Sequence, residues 1–310
     1  MPASRPDVAQ LSRSVGSHQA KIACYLTPMP PWFDSHCHFD FPAFDVDRSR
    51  IWTHCQGLNL GGLIIPGVTR RQSQVAQSLV KGRPWFLAHG LHPYFMDQHC
   101  SDDLKWLSDA VEPDFSCPDS VNQSTPLLPV AVGEFGLHWT KMTSVDERTR
   151  QLELFEYQVS LARTSGLPVI LHGVGAHDQI ASGLRRHGCQ TGGVVHAFSG
   201  SYQQAKVYLD AGLRLGIGAT FFHANARKLR RTLKALPKDG VLIETDAPDM
   251  AAPFWNREAG IYSPLAIPLI AAGLAGIWEV ELDELRYRLW KNLCDAFPAV
   301  ASSRWFRDLD

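Results

Sequence analysis

Charge of one sign is what this chain of 310 residues lacks: 30 lysines and arginines stand against 31 aspartates and glutamates, for a net charge of -1. So even a balance excludes a global attraction to polyanions or to anionic membranes, and any contact with nucleic acid has to come from a local patch. An uncharged apolar run long enough to span a bilayer is missing too, and the first thirty residues have no continuous apolar core of the secretory type. The sequence therefore predicts no membrane association, no export and a cytoplasmic protein. The 7 cysteines, Cys24, Cys37, Cys55, Cys100, Cys117, Cys189 and Cys294, show no C-x-x-C spacing. A chain of this length has no need of disulfide staples, so they are read as reduced thiols. Neither a G-x-S-x-G elbow nor a G-x-x-x-x-G-K loop occurs, which leaves nothing to support a serine nucleophile or a P-loop.

What is present in quantity is apolar surface, at 45% hydrophobic and 20% charged residues, ample for one large core. A short apolar run rich in β-branched or aromatic residues recurs, each followed by a stretch of helical period. The predicted strands are 32–38, 60–68, 85–92, 129–137, 168–174, 192–199, 213–221 and 241–248. Helices are predicted to start near Thr69 and Asp102 and to cover 146–166, 177–188, 201–212, 225–236 and 281–297, with weaker patterning over 250–280. About eight β/α units are the number of a closed parallel (β/α)8 TIM barrel, expected here as a single α/β domain. The expected layout is a polar, loosely ordered extension over 1–31, in which Met29 is a candidate start, the barrel over 32–300, and a C-terminal tail over 301–310. A long insertion at 113–129 reads as a surface loop.

The position of the metal-binding residue types carries the functional reading. The stretch "WFDSHCHFD" places His36 and His38 on either side of a cysteine, and in a strand alternate side chains share a face. Glu134, His172, His196 and Asp246 fall near the carboxyl ends of the fourth, fifth, sixth and eighth predicted strands. In a parallel barrel those ends converge on one mouth. Each residue alone has a structural explanation, as a hydrogen-bonded histidine or an ion-paired carboxylate, but their common level does not. Four imidazoles and two carboxylates suffice for two divalent ions (Zn, Mg or Mn) sharing a bridging carboxylate. Glu134 and Asp246 are the expected catalytic carboxylates, Asp246 as a ligand that also takes a proton from the attacking water. Hydrolysis is the natural chemistry of such a pair.

Other candidates carry less. His92 in "GLHP" is expected to face the mouth, as a substrate contact, a support for a ligand, or a structural histidine. His54, His89, His99, His187 and His223 have no partners in sequence and are read as structural. Phe198 is read as a core aromatic that could instead wall the pocket. The basic stretch "ARKLRRTLK" (226–234) distributes its charge around a helical wheel and reads as a solvated helix.

The ordered set "FDSHCHFD", "GLHPYF", "VGEFGLHW", "PVILHGVGA", "HAFSGS" and "ETDAP" resembles the TatD family of metal-dependent deoxyribonucleases, among the amidohydrolase-type TIM barrels, over residues 33 to about 297. The resemblance implies His36, His38, Glu134, His172, His196 and Asp246 as ligands of a divalent-metal centre, and DNA or oligonucleotide phosphodiesters as substrates. It also implies that the glutamate replaces the carbamylated lysine of many amidohydrolases, in line with the lack of a lysine at any predicted strand end. Two positions depart from the family pattern. The usual G-L-D is Gly136-Leu137-His138, and the usual H-x-R is His172-Gly173-Val174. An arginine there would offer phosphate a fork of donors, and valine offers none. Two further readings therefore stand beside the nuclease: a hydrolase of a small ester, lactone or amide, and a catalytically weak metal-binding partner protein.

Overall fold

The computed structural model describes residues 29–112, 128–256 and 260–307. Residues 1–28 of the expected extension, 113–127 of the insertion and 308–310 of the tail lie outside them, with Cys24 and Cys117. Eight parallel strands follow one another in sequence order. The elements are β1 Trp32–Asp34, α1 Arg48–Gly57, β2 Leu60–Pro66, α2 Arg70–Leu79, β3 Trp85–His89, α3 Ser101–Val111, β4 Ala131–His138, α4 Val145–Ser165, β5 Val169–Val174, α5 His177–His187, β6 Gly193–Val195, α6 Tyr202–Asp210, β7 Arg214–Ile217, α7 Arg227–Ala235 and β8 Val241–Ile243, then α8 Ile267–Trp278, α9 Leu282–Ala296 and the short α10 Pro298–Ala301. This is the (β/α)8 barrel.

Strand alternation sorts the core into two bodies. Val169, Leu171, Val195, Val241 and Ile243 face the helices, while Ile170, Val194 and Leu242 join Phe33, Ile64, Ala88 and Ala131 in the lumen. One further step of period two past the lumen residues reaches His172, His196 and Glu244, so the apolar filling of the barrel gives way at its carboxyl end to a layer of ligating atoms. At the amino end the lumen is stoppered by Phe306, whose ring lies 6.0 Å from Phe33 and 5.0 Å from Trp290 of α9. Among the described residues no ladder pairs β8 with β1. The seam is closed instead by single bonds: Ser35 N–H donates to Ile243 O at 3.1 Å, Asp246 N–H to His36 O at 2.9 Å and His38 N–H to Ala247 O at 2.9 Å.

Local chemistry accounts for most element limits. Thr69 accepts the Gln72 N–H at 3.2 Å and Ser144 the Glu147 N–H at 3.2 Å, each satisfying an orphan donor of α2 or α4. Gly166 and Gly188 end α4 and α5 at φ 70° and 59°. Three expectations are corrected. The first strand stops at Asp34 instead of running to 38, because Ser35 leaves the ladder with β2 to bridge the seam. Helix α1, absent from the expected set, fills the connection from β1 to β2. The weakly patterned stretch 250–280 contains the full helix α8. Cys37, Cys55, Cys100 and Cys189 form no disulfide, and no single helix among the described residues is long and apolar enough to cross a membrane.

Candidate metal centre

Glu134, on β4 and only 1% exposed, is the hub of the mouth. Its Oε2 lies 3.1 Å from His36 Nε2 and 3.6 Å from His38 Nε2. Its Oε1 lies 3.0 Å from His172 Nδ1, 2.7 Å from His196 Nε2 and 3.0 Å from His92 Nε2. Asp246 Oδ1 completes the first side, 3.4 Å from His36 Nε2 and 3.5 Å from His38 Nε2. The two oxygens of one carboxylate thus look into two different sets of imidazoles. Three overlapping groups could each hold a metal ion: His36, His38 and Glu134; His36, His196 and Asp246; and His92, Glu134 and His172. All six predicted ligands are brought together, although His36 and His38 come from the irregular segment after β1, with their rings at 86° to one another.

The donor set fits cations. Neither ring nitrogen of His36 has a hydrogen-bond partner although the residue is fully buried, and His172 Nδ1 lies 3.1 Å from His196 Nε2. Facing nitrogens this close are satisfied by a proton or a cation between them, and the buried His36 ring, which has neither, offers a free lone pair to a cation. The same crowding perturbs the acid–base state. Burial would push the Glu134 carboxyl up, but His196, His92 and His36 around it hold it well below the usual carboxylate range. Burial, followed by the neighbouring His92, pushes His172 down to about 3. Burial pushes Asp246 up to about 6, against the pull of His196 and His36.

A ring of supporting residues positions these atoms, and most of it has no signature in sequence spacing. Glu244 is fully buried, accepts the Ala197 N–H at 2.5 Å, and has Oε1 3.7 Å from His196 Nδ1, the relation that fixes the orientation of a ligating imidazole. A signal for it existed, since period two from Leu242 points Glu244 inward. Gly216 on β7 leaves the room it needs, because a Cβ there would sit 2.1 Å from Glu244 Oε2. Asp34 accepts the Thr245 hydroxyl at 2.6 Å and the His36 and Thr245 amides at 3.2 and 3.0 Å, and burial pushes its carboxyl up to about 7. Arg48 donates to the carbonyls of Phe39 at 2.7 Å and Phe41 at 3.1 Å, pinning the loop that follows His38.

His92 belongs to the centre more closely than a remote support. Its Nδ1 accepts the Tyr94 N–H at 3.0 Å, so the neutral ring carries its proton on Nε2, directed at Glu134 Oε1. His99, read as structural, reaches the His92 carbonyl at 2.9 Å and steadies that turn. His89 is buried against Gln77 at 3.2 Å, and Phe198 is a core residue at 2% exposure. The two departures meet at the rim: His138 pairs with Val174 across β4 and β5. His138 Nδ1 lies 2.9 Å from His172 Nε2, while Val174 is 38% exposed. Gly136 allows this approach, for a Cβ there would sit 1.9 Å from His172 O. The basic stretch forms α7 on the outside of the barrel, with Arg227, Lys228 and Arg231 exposed.

Comparison with known proteins finds relatives over most of the chain. The family model described as TatD related DNase matches residues 33–298. A protein of Escherichia coli named uncharacterized metal-dependent hydrolase YjjV is 36% identical over 220 residues, which cover 71% of this chain and 80% of that one. The 3'-5' ssDNA/RNA exonuclease TatD of Erwinia billingiae is 31% identical over 221 residues, covering 70% and 78%. The crystal structure of the E. coli YjjV, a TatD homologue, superposes with a TM-score of 0.76 at 33% identity, covering 87% of this chain and 99% of that chain.

Proposed function

The chain belongs to the TatD-related DNase family of metal-dependent hydrolases, and from that premise we propose that it hydrolyses DNA or oligonucleotide phosphodiesters at a centre where Glu134 and the imidazoles around it would hold two divalent cations. The observation that carries this is the division of one buried carboxylate between two imidazole sets, with Oε2 toward His36 and His38 and Oε1 toward His172 and His196. His36, His38 and Asp246 would hold one cation, His172 and His196 the other. When bound, such a pair supplies Lewis acidity toward the phosphoryl oxygens and lowers the pKa of water.

The chain's own residues do the rest. Asp246, whose Oδ1 lies 3.4 Å from His36 Nε2 and 3.5 Å from His38 Nε2, is the carboxylate on that side of the centre that would take the proton of the attacking water. His92 directs its Nε2 proton at Glu134 Oε1 and so holds the hub carboxylate in place. Glu244 and His138 hold the rings of His196 and His172 from behind. That the TatD relative of E. billingiae is named an exonuclease on single-stranded DNA and RNA supports single strands as the substrate class.

A second reading has one observation in its favour: the uncharged rim at His138 and Val174 suits a small ester, lactone or amide as well as a phosphodiester. The test loads the protein with Mg, Mn or Zn in turn and supplies single-stranded DNA, duplex DNA and a model phosphodiester beside lactones and amides. Cleavage of single strands that disappears in Glu134→Gln, together with about half or more of the bound metal, supports this centre. A loaded protein that leaves every phosphodiester intact while opening a lactone or amide refutes the nuclease.

A further inference from the structure

We propose that Tyr94, backed by His138, forms a platform at the rim of the centre on which a nucleobase beside the scissile phosphodiester stacks. The inference rests on the phosphodiesterase reading above and names a contact that the metal chemistry does not require. Tyr94 is 70% exposed, one of the largest apolar surfaces the protein leaves in water. It is nonetheless fixed. Its own N–H is bonded to His92 Nδ1 at 3.0 Å, and its ring meets Phe95 edge-on at 5.4 Å and 82°. The ring also meets His138 at 5.6 Å and 74°. His138 lies nearly parallel to the candidate ligand His172, at 5.2 Å and 16°, with their nitrogens 2.9 Å apart. One chain of contacts therefore runs from an exposed aromatic face to the hub carboxylate.

The chemistry of this rim selects the occupant. Tyr94 and the exposed Val174 bring a π-face and methyl groups with no fixed charge, which gives a phosphate nothing to bind and a base a surface to lie on. Base stacking on an aromatic side chain is indifferent to sequence, because every base has a π-face. A tyrosine already held by its backbone and two neighbouring rings loses little freedom when a base arrives. A strand whose phosphodiester sits over Glu134 would place a flanking base within reach of this side of the mouth. Binding lost for want of a cationic fork at Val174 is thereby regained through the base instead of the phosphate.

The experiment measures Kd, with metal-loaded protein, for short phosphorothioate-linked oligothymidylates that carry an abasic site moved stepwise along the strand. Wild type should bind one abasic position about five- to a hundredfold more weakly than the full strand, the range for loss of one stacked base. Tyr94→Ala should erase that positional difference, and Tyr94→Phe, which keeps the ring and loses the hydroxyl, should retain it. The bond from residue 94 N–H to His92 survives in both variants, so unchanged metal content and unfolding midpoint are expected. A positional difference that persists in Tyr94→Ala overturns the platform, as does its loss in Tyr94→Phe. Wild type that cleaves single strands without any abasic discrimination overturns the platform alone, whereas wild type that neither binds nor cleaves them overturns the phosphodiesterase reading with it.

Discussion

Asp246 and His89 show two uses of a buried titratable side chain. Asp246 adopts φ 56°, a left-handed conformation that a residue with a Cβ keeps only when its surroundings dictate it. Its neighbours hold the carboxylate against the ligand set. Asp246→Asn preserves the shape and removes the basicity, so kcat should fall by about 10² or more with little change in KM. Steady-state kinetics on a single-stranded oligonucleotide check this, and near-normal turnover would place the proton transfer elsewhere. His89 is a structural case: burial pushes it down to about 4 from its ordinary 6.5. As pH falls from 6.5 toward 4 the unfolded chain takes up a proton that the folded ring refuses, so stability is full above 6.5 and is lost on acidification. The two states differ by about 2.5 units, worth roughly 3 kcal/mol at most. Urea unfolding at pH 7 and pH 4.5 should show a smaller acid loss in His89→Gln than in the wild type.

Segments and elements carry the ligands to the mouth, and the loop after His38 is the one most dependent on a single side chain. Arg48 of α1 gathers the carbonyls of Phe39, Asp40 and Phe41 and so keeps Phe41 stacked on His38 at 4.6 Å and 23°. Arg48→Met retains the stem and loses these bonds. Metal affinity should drop by about tenfold or more, the usual effect of losing support around a ligand, while circular dichroism stays unchanged. A metal titration with unaltered affinity would show that the loop holds itself. The elements also show what sequence patterning reaches. Helices bounded by Thr69, Ser144, Gly166 and Gly188 were legible because their ends carry their own chemistry. Helix α1 was not: Asp47 makes no side-chain cap and the run Arg48–Gly57 has little apolar periodicity. Helix α8 was faint because Ile267–Trp278 is apolar on nearly every side. The six candidate ligands were visible through their strand-end positions. Glu244 is marked only by its period-two relation to Leu242, and the roles of Arg48 and Tyr94 depend on contacts across the fold that no spacing encodes.

At the scale of the whole barrel, its two ends are chemically opposed. The amino end is closed by Phe306 against Phe33, Phe86 and Trp290, far along each strand from the mouth. Phe306→Ala should cost about 3 to 5 kcal/mol of stability, read as a lower denaturant midpoint, yet leave kcat/KM unchanged at a temperature where the variant is folded. A loss of activity in the folded variant would show that the two ends are coupled. The seam between β8 and β1 has a different consequence. Its bonds join residues as much as 211 positions apart, and they tie the backbone of His36 and His38 to Asp246 and Ala247. A ribosome releases His36 and His38 long before Asp246, so no growing chain holds both halves of the ligand set until its eighth strand has been made and has met the first. A chain that stops before its eighth strand therefore carries an incomplete set of candidate ligands.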